Sequence, residues 1–310
     1  MNIRDAHPAL EVLTHIPARL KHKTPLLFIH GAFTGAWCWE EHFLSFFAEA
    51  GFAAHALSVS GHGGSRGREK LDTLSISDYV DDVREVVEQL PMPPILIGHS
   101  MGGFIVQKYL EQYAAPAAVL MCTVPPQGMM GVAFNALFTR PALLNNLNDM
   151  MAGGKASYES LRDALFAQEV TLDDLKRFYH LAQPESHRAI WDMTLFGLPS
   201  ASKVLQHLTS NEANTHGHPL SSTETPGRVG KGGRGDSLSN VPAREDVETR
   251  LLVLGAEHDH LMPASTAQMT ARTYGVEAEI FPGMGHGLML ERDWRVVAER
   301  IKAWITEQKS

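Results

Sequence analysis

Five short runs along the chain are apolar at almost every position: "LLFIH" (26–30), "ILIG" (95–98), "AVLMC" (118–122), "LLVLG" (251–255) and "AEIF" (278–281). Such runs suit strands covered on both faces, as in a parallel sheet. Between them the pattern changes to a helical period. In "SDYVDDVREVVEQL", Tyr79, Val80, Val83, Val86, Val87 and Leu90 share one face, with Ser77 placed to cap the start. In "DWRVVAERIKAWITEQ", Trp294, Val297, Ala298, Ile301, Trp304 and Ile305 do the same. Strand and helix alternate, so the expected class is α/β, with a mostly parallel central sheet and helices on both faces.

Two regions break the alternation. Residues 126–207 are mainly helical in pattern and rich in Met, Leu and Phe; "TLDDLKRFYHLA" is a clear helix with Thr171 as its cap. This region is predicted to be an inserted helical cap over the sheet. Residues 208–246 are rich in Ser, Thr, Asn, Gly and Pro and nearly empty of large apolar groups. They bury too little to offset their ordering entropy and are predicted to be a disordered loop. Its "RGD" (234–236) reads as a chance tripeptide in that loop. The expected organisation is a first core part over 1–125, the cap over 126–207, the polar loop over 208–246 and a second core part over 247–310.

Composition narrows the function classes. With 310 residues and 44% hydrophobic content the chain can bury a large core. A net charge of -8 and no concentrated Lys/Arg run argue against a nucleic-acid partner or an anionic membrane surface. No apolar run is long enough for a membrane span, and the start lacks the apolar core of a secretory signal. The 2 cysteines, Cys38 and Cys122, have no metal-type spacing and are expected to be buried free thiols, so the expected location is cytoplasmic.

Candidate chemistry begins at Gly98-His99-Ser100-Met101-Gly102, which matches G-x-S-x-G directly after "ILI" and directly before a helical run. Flanking glycines permit a sharp strand-to-helix turn that exposes a nucleophilic serine. A neutral serine needs a base, and the base needs an orienting acid. The elbow topology predicts the order Ser, acid, His, each after a later strand. "AEHDHLMP" after the fourth run offers Glu257 and Asp259, and "PGMGHGLMLE" after the fifth offers His286. Upstream, "FIHGAF" ends a strand in a turn whose backbone N–H can face a developing oxyanion, with the N–H of Met101 as companion donor.

These segments resemble the α/β-hydrolase superfamily, over about 26–124 and 251–305, through "HGAFTGAWCW", "SGHGGS", "GHSMGG", "GAEHDHLMP" and "GMGHGLMLE". The resemblance implies a serine esterase or lipase. Its pattern places the acid four residues before the proline of "DHLMP", which selects Asp259 and leaves Glu257 and His260 as neighbours. It maps the first oxyanion donor to Ala32, and Phe33 beside it is expected to touch substrate. "HGAFTGAWCW" is similar to the small esterase branch with plant methylesterases and hydroxynitrile lyases, and to lysophospholipase-like proteins. Serine at the nucleophile position disfavours the dehalogenase and epoxide-hydrolase chemistries, which use aspartate there. The expected activity is hydrolysis of a small-molecule carboxylic ester, with no cofactor and no metal.

Competing signals are weaker. "EHDH" (257–260) has metal-ligand residue types but no second His pair on a complementary strand. "GHGGS" lacks the frame of a phosphate loop. Two rivals stay open: a lyase on the same triad, which needs a cap lysine facing the serine (Lys155, Lys176 or Lys203), and a small-molecule receptor that retains the triad. The Met and Phe of the cap could line an acyl pocket or form the cap's own core. Oligomeric state is not legible.

Overall fold

The computed structural model describes residues 9–133, 157–208 and 248–307. Its centre is a seven-stranded sheet in the order β1-β3-β2-β4-β5-β6-β7. The strands are β1 (Glu11–His15), β2 (Leu26–Ile29), β3 (Ala54–Ser58), β4 (Ile95–His99), β5 (Ala117–Met121), β6 (Arg250–Ala256) and β7 (Ala278–Phe281). Only β1 runs antiparallel, against β3; the other five pairings are parallel. All five expected strands form, each within two residues of its predicted bounds.

The apolar runs have the cause assigned to them. Side chains alternate across a strand, so Leu26 and Phe28 of β2 enter one buried cluster while Leu27 and Ile29 enter the other. Ile95 and Ile97 against Leu96, and Leu252 and Leu254 against Leu251 and Val253, repeat the division. A strand buried on both faces has no polar position to spare.

Helices α1 (Trp37–Glu40), α2 (Phe43–Ala50), α3 (Ile76–Gln89) and α4 (Met101–Tyr109) precede or follow the first strands. Then come α5 (Tyr158–Leu165), α6 (Leu172–Leu181), α7 (His187–Trp191) and α8 (Ala201–Leu205), and finally α9 (Ala264–Thr273) and α10 (Trp294–Thr306). Thr171 caps α6 as expected, accepting the Asp174 N–H at 3.1 Å. The cap of α3 is Ser75, not Ser77. Its hydroxyl accepts the Asp78 N–H at 3.2 Å and the Asp78 carboxylate accepts the Ser75 N–H at 2.8 Å. This reciprocal box starts the helix one residue before Ser77, which lies inside it.

The helical region 157–208 is fastened to the sheet by apolar packing. Phe166, Leu175 and Phe178 belong to the same buried cluster as Phe28 and Trp39, and Phe178 stacks on Trp37 at 5.7 Å. Those aromatics are core, whereas Trp191 and Phe196 are exposed. Most of the polar loop expected over 208–246 lies outside the described residues. Its flanks meet: Leu208 and Thr249 form a parallel bridge, and the Thr249 N–H donates to His207 O at 2.6 Å. A segment whose ends already touch can be long at little cost to the fold.

Glycine at position 102 illustrates how closely α4 approaches the sheet. A Cβ there would overlap the carbonyl oxygens of Ile29 and His30 at the end of β2. Gly102→Ala should therefore lower stability by about 1–3 kcal/mol through overpacking, although alanine is worth about 1 kcal/mol more than glycine in an open helix. Urea unfolding decides the sign; a variant as stable as the parent would mean α4 can back away from β2.

Candidate active site

Ser100 stands between β4 and α4 with φ 53° and ψ -115°. This is a left-handed φ that non-glycine residues adopt only under constraint. The constraint is visible on each side. The Ser100 N–H donates to Met121 O at 2.9 Å, and its carbonyl accepts from Phe104 N at 3.2 Å and Val124 N at 3.3 Å. Gly98 lies so close to the Gly102 carbonyl, and Gly103 so close to the Thr123 hydroxyl, that neither has room for a side chain. The serine side chain caps no helix amide and is partly open to solvent.

Asp259 and His286 come together. His286 Nδ1 donates to Asp259 Oδ2 at 2.8 Å, and both residues are almost fully buried. The other carboxylate oxygen, Oδ1, accepts the N–H groups of Leu261 at 2.8 Å and Met262 at 2.7 Å. Three donors thus fix the carboxylate in orientation. Glu257 is exposed and accepts the Gly283 N–H at 2.8 Å, away from the imidazole. His260 Nδ1 donates to Asp163 O at 2.8 Å. Glu257, Asp259 and His260 therefore point to separate partners, and His258 Nε2 lies 3.7 Å from Glu257 Oε2.

His99 joins the histidine loop to the elbow. Its Nε2–H donates to the carbonyl of His286 at 2.9 Å, and the two rings are 4.7 Å apart. Burial first, and then the neighbouring His286, push the His99 imidazole well below its ordinary value, so it is neutral. It entered the sequence argument only as a variable position of the elbow. Its role is legible once two loops far apart in sequence are side by side.

The loop after β2 passes beside Ser100. A Cβ on Gly31 would stand 3.1 Å from Ser100 Cβ and 3.0 Å from His99 Nδ1, so a side chain there would crowd the serine. Among the described residues, no acceptor takes up the N–H of Ala32 or of Met101. His30 holds the start of this loop: the Val59 N–H donates to its Nε2 at 3.1 Å and its Nδ1–H donates to Gly31 O at 2.8 Å. Phe33 is half-buried with φ 63°, and its carbonyl accepts the Gln183 N–H at 3.0 Å.

Both cysteines are free and buried, as expected. Cys122 lies beside the acid: its sulfur, a carboxylate oxygen of Asp259 and a ring nitrogen of His286 all fall within 4.8 Å. Burial, then the charge of Asp259, push the thiol well up, so it stays protonated. Of the three candidate lysines, Lys176 and Lys203 are exposed, and Lys155 lies outside the described residues.

A family model described as the alpha/beta hydrolase family matches residues 26–300. Over 144 residues the chain is 30% identical to protein phosphatase methylesterase 1 of Bos taurus, covering 45% of this chain and 35% of that protein. It therefore spans about a third of the length of the methylesterases it matches. Over 274 residues it is 22% identical to a monoacylglycerol lipase of Mycolicibacterium smegmatis, covering 85% of this chain and 81% of that one. Among solved structures, an esterase from Exiguobacterium antarcticum superposes with a TM-score of 0.65 at 18% identity, covering 96% of both chains. That likeness is one of fold.

The buried neutral histidines set a pH dependence of stability. Burial first, then the charge of His62, lower His30 from 6.5 to about 3. Unfolding frees its ring to take up a proton below about pH 6.5, so folding stability falls as the pH drops from there toward 3. The slope for one such group is about 1.4 kcal/mol per pH unit. His30→Gln should lose that share of the slope in denaturant unfolding between pH 6 and 4. Parallel pH dependences in variant and parent would refute it.

Proposed function

The chain belongs to the α/β-hydrolase family, and from that premise we propose that it is a serine hydrolase cleaving a carboxylic ester through an acyl-enzyme. The reading rests chiefly on one observation: a serine held in a left-handed turn at the end of β4, directly after His99, whose ring is bonded to the backbone of His286, the buried imidazole that is itself bonded to the Asp259 carboxylate. The relatives named as methylesterase and monoacylglycerol lipase support the reaction class. Helices α5–α8 are the proposed cap, and the substrate is a small molecule.

In this mechanism Ser100 Oγ attacks the ester carbonyl carbon as His286 Nε2 removes its proton. Asp259 holds the imidazole by Nδ1, keeping Nε2 free to accept, and stabilises the imidazolium that forms. The carbonyl oxygen becomes an oxyanion facing the N–H groups of Ala32 and Met101, at the start of α4. Collapse of the tetrahedral intermediate breaks the C–O bond, and the alcohol leaves with the proton from His286. Water, deprotonated by the same nitrogen, then attacks the acyl-enzyme and releases the acid. Phe33 flanks the carbonyl site as a substrate contact.

The exposure of Lys176 and Lys203 gives no support to the lyase alternative. Ser100→Ala should cut turnover of p-nitrophenyl butyrate by roughly a thousandfold or more. Asp259→Asn should cost on the order of a thousandfold or more, because an amide cannot hold the same tautomer. A panel of short esters, long acyl esters, lysophospholipids, lactones and amides, run on parent and Ser100→Ala together, identifies the substrate. Undiminished turnover in Ser100→Ala would exclude the serine mechanism.

A further inference from the structure

A second polar cluster lies behind the loop after β2, and the proposed mechanism leaves it unused. Glu185 sits between α6 and α7, fully buried. Its Oε1 accepts the Tyr79 O–H at 2.9 Å and the Ser186 N–H at 2.7 Å. Its Oε2 accepts the Phe33 N–H at 3.3 Å. His62 Nε2 stands 3.0 Å from Oε2, within reach of an ion pair. His62 Nδ1–H donates to Ser60 O at 3.1 Å.

The pair is charged. Burial pushes the His62 imidazole down, but Glu185 more than reverses this and the net direction is up. Burial pushes the Glu185 carboxyl up, and the His62 charge brings it below its ordinary value. A buried ion pair is a poor device for stability alone, since its desolvation cost offsets most of the attraction. What this one does is positional. Phe33 follows Ala32, and its φ of 63° needs support from outside the loop. Gln183 adds to the hold: its N–H donates to Phe33 O at 3.0 Å and its side-chain amide donates to Thr34 O at 2.9 Å.

We propose that Glu185 is a positioning residue for the oxyanion loop, gripping the Phe33 amide from the helical segment so that the N–H of Ala32 faces the carbonyl oxygen of the ester attacked by Ser100. This rests on the esterase reading for its catalytic consequence, but the grip itself is a separate physical fact. Donors converge on both carboxylate oxygens. The isosteric Glu185→Gln must turn an NH2 toward one pair of them: either the Phe33 amide loses its acceptor, or the Ser186 amide does and the side chain is pushed off its seat, so the grip is loosened without removing volume.

The experiment compares Glu185→Gln with the parent, each normalised by fluorophosphonate titration of Ser100. Expected are a kcat lowered roughly 10- to 100-fold, a KM changed by less than about threefold, and affinity for a trifluoromethyl ketone reduced by the same factor as kcat. Such a ketone forms a tetrahedral adduct and so reads the oxyanion site. Hydrogen-exchange mass spectrometry should show faster exchange at 31–35 in the variant, a readout that needs no turnover. If the single variant does not fold, Glu185→Gln/His62→Asn removes both buried charges together and carries the same expectations. Unchanged kcat with unchanged inhibitor affinity, or unchanged exchange at 31–35, overturns the proposal. Absence of ester turnover in the parent would instead overturn the esterase reading, and the exchange result would still decide the grip.

Discussion

Ser100 is held in a backbone conformation that costs an L-residue about 1–3 kcal/mol, and much of the surrounding architecture serves to keep it there. The strain is sustained because the turn is tied on both sides, by Met121 O at the end of β5 and by Val124 N beyond it. It is also sustained because α4 can press onto the ends of β2 and β4, which requires glycine at 98, 102 and 103. The parallel sheet matters here less as a core than as a frame. Parallel strands end at one edge, so the loops after β2, β4, β6 and β7 all open there. The proposed oxyanion loop, nucleophile, acid and base each sit on one of them.

That frame was legible because burial on both faces writes itself into sequence. β2, β4, β5 and β6 have no polar side to hide, and apolar runs of that kind have few other readings. β1 and β3 went unseen for the opposite reason. "EVLTH" is a half-buried edge strand, and "AHALS" carries two polar residues. Their polarity is satisfied across the pair rather than by solvent: the Thr14 hydroxyl and His55 Nδ1 bond at 2.9 Å, and the Ser58 hydroxyl donates to Glu11 Oε2 at 2.6 Å. No local pattern announces a partner forty residues away. The misplacement of the α3 cap has a smaller cause. Both Ser75 and Ser77 are competent caps, and only Ser75 has Asp78 at the spacing that completes the reciprocal box.

Ser100, Asp259 and His286 could be named from sequence because each follows its own strand in a fixed order. Their supports could not. His99 looked like a variable position, Tyr79 like one more member of an apolar face, and Glu185 belonged to no motif. Each acquires its part from a contact more than a hundred residues away. A buried carboxylate leaves no signature in sequence, since its neighbours in the chain are not its neighbours in space.

A second buried carboxylate shows that the arrangement around Glu185 is half of a larger one. Glu291, in the histidine loop, accepts the N–H groups of Ala167 at 2.7 Å, Gln168 at 3.2 Å and Gly285 at 2.7 Å. Beside it the Gly287 N–H donates to Leu165 O at 2.7 Å. The helical segment is therefore pinned at two points, at Glu185 beside the loop after β2 and at Glu291 beside the loop carrying His286. The first pin runs from the segment to the Phe33 amide and the second from the loop carrying His286 to the Ala167 and Gln168 amides of the segment, so the segment cannot shift without moving those loops. An apolar seam would let the helices slide by small steps, because packing energy is non-directional. Hydrogen bonds to a carboxylate fix distance and angle. As the proposed cap, a segment attached in this way does more than cover the serine: its position and the geometry of the loops around the serine are one variable, and a change that reshapes the proposed substrate space must preserve both pins to leave the chemistry intact.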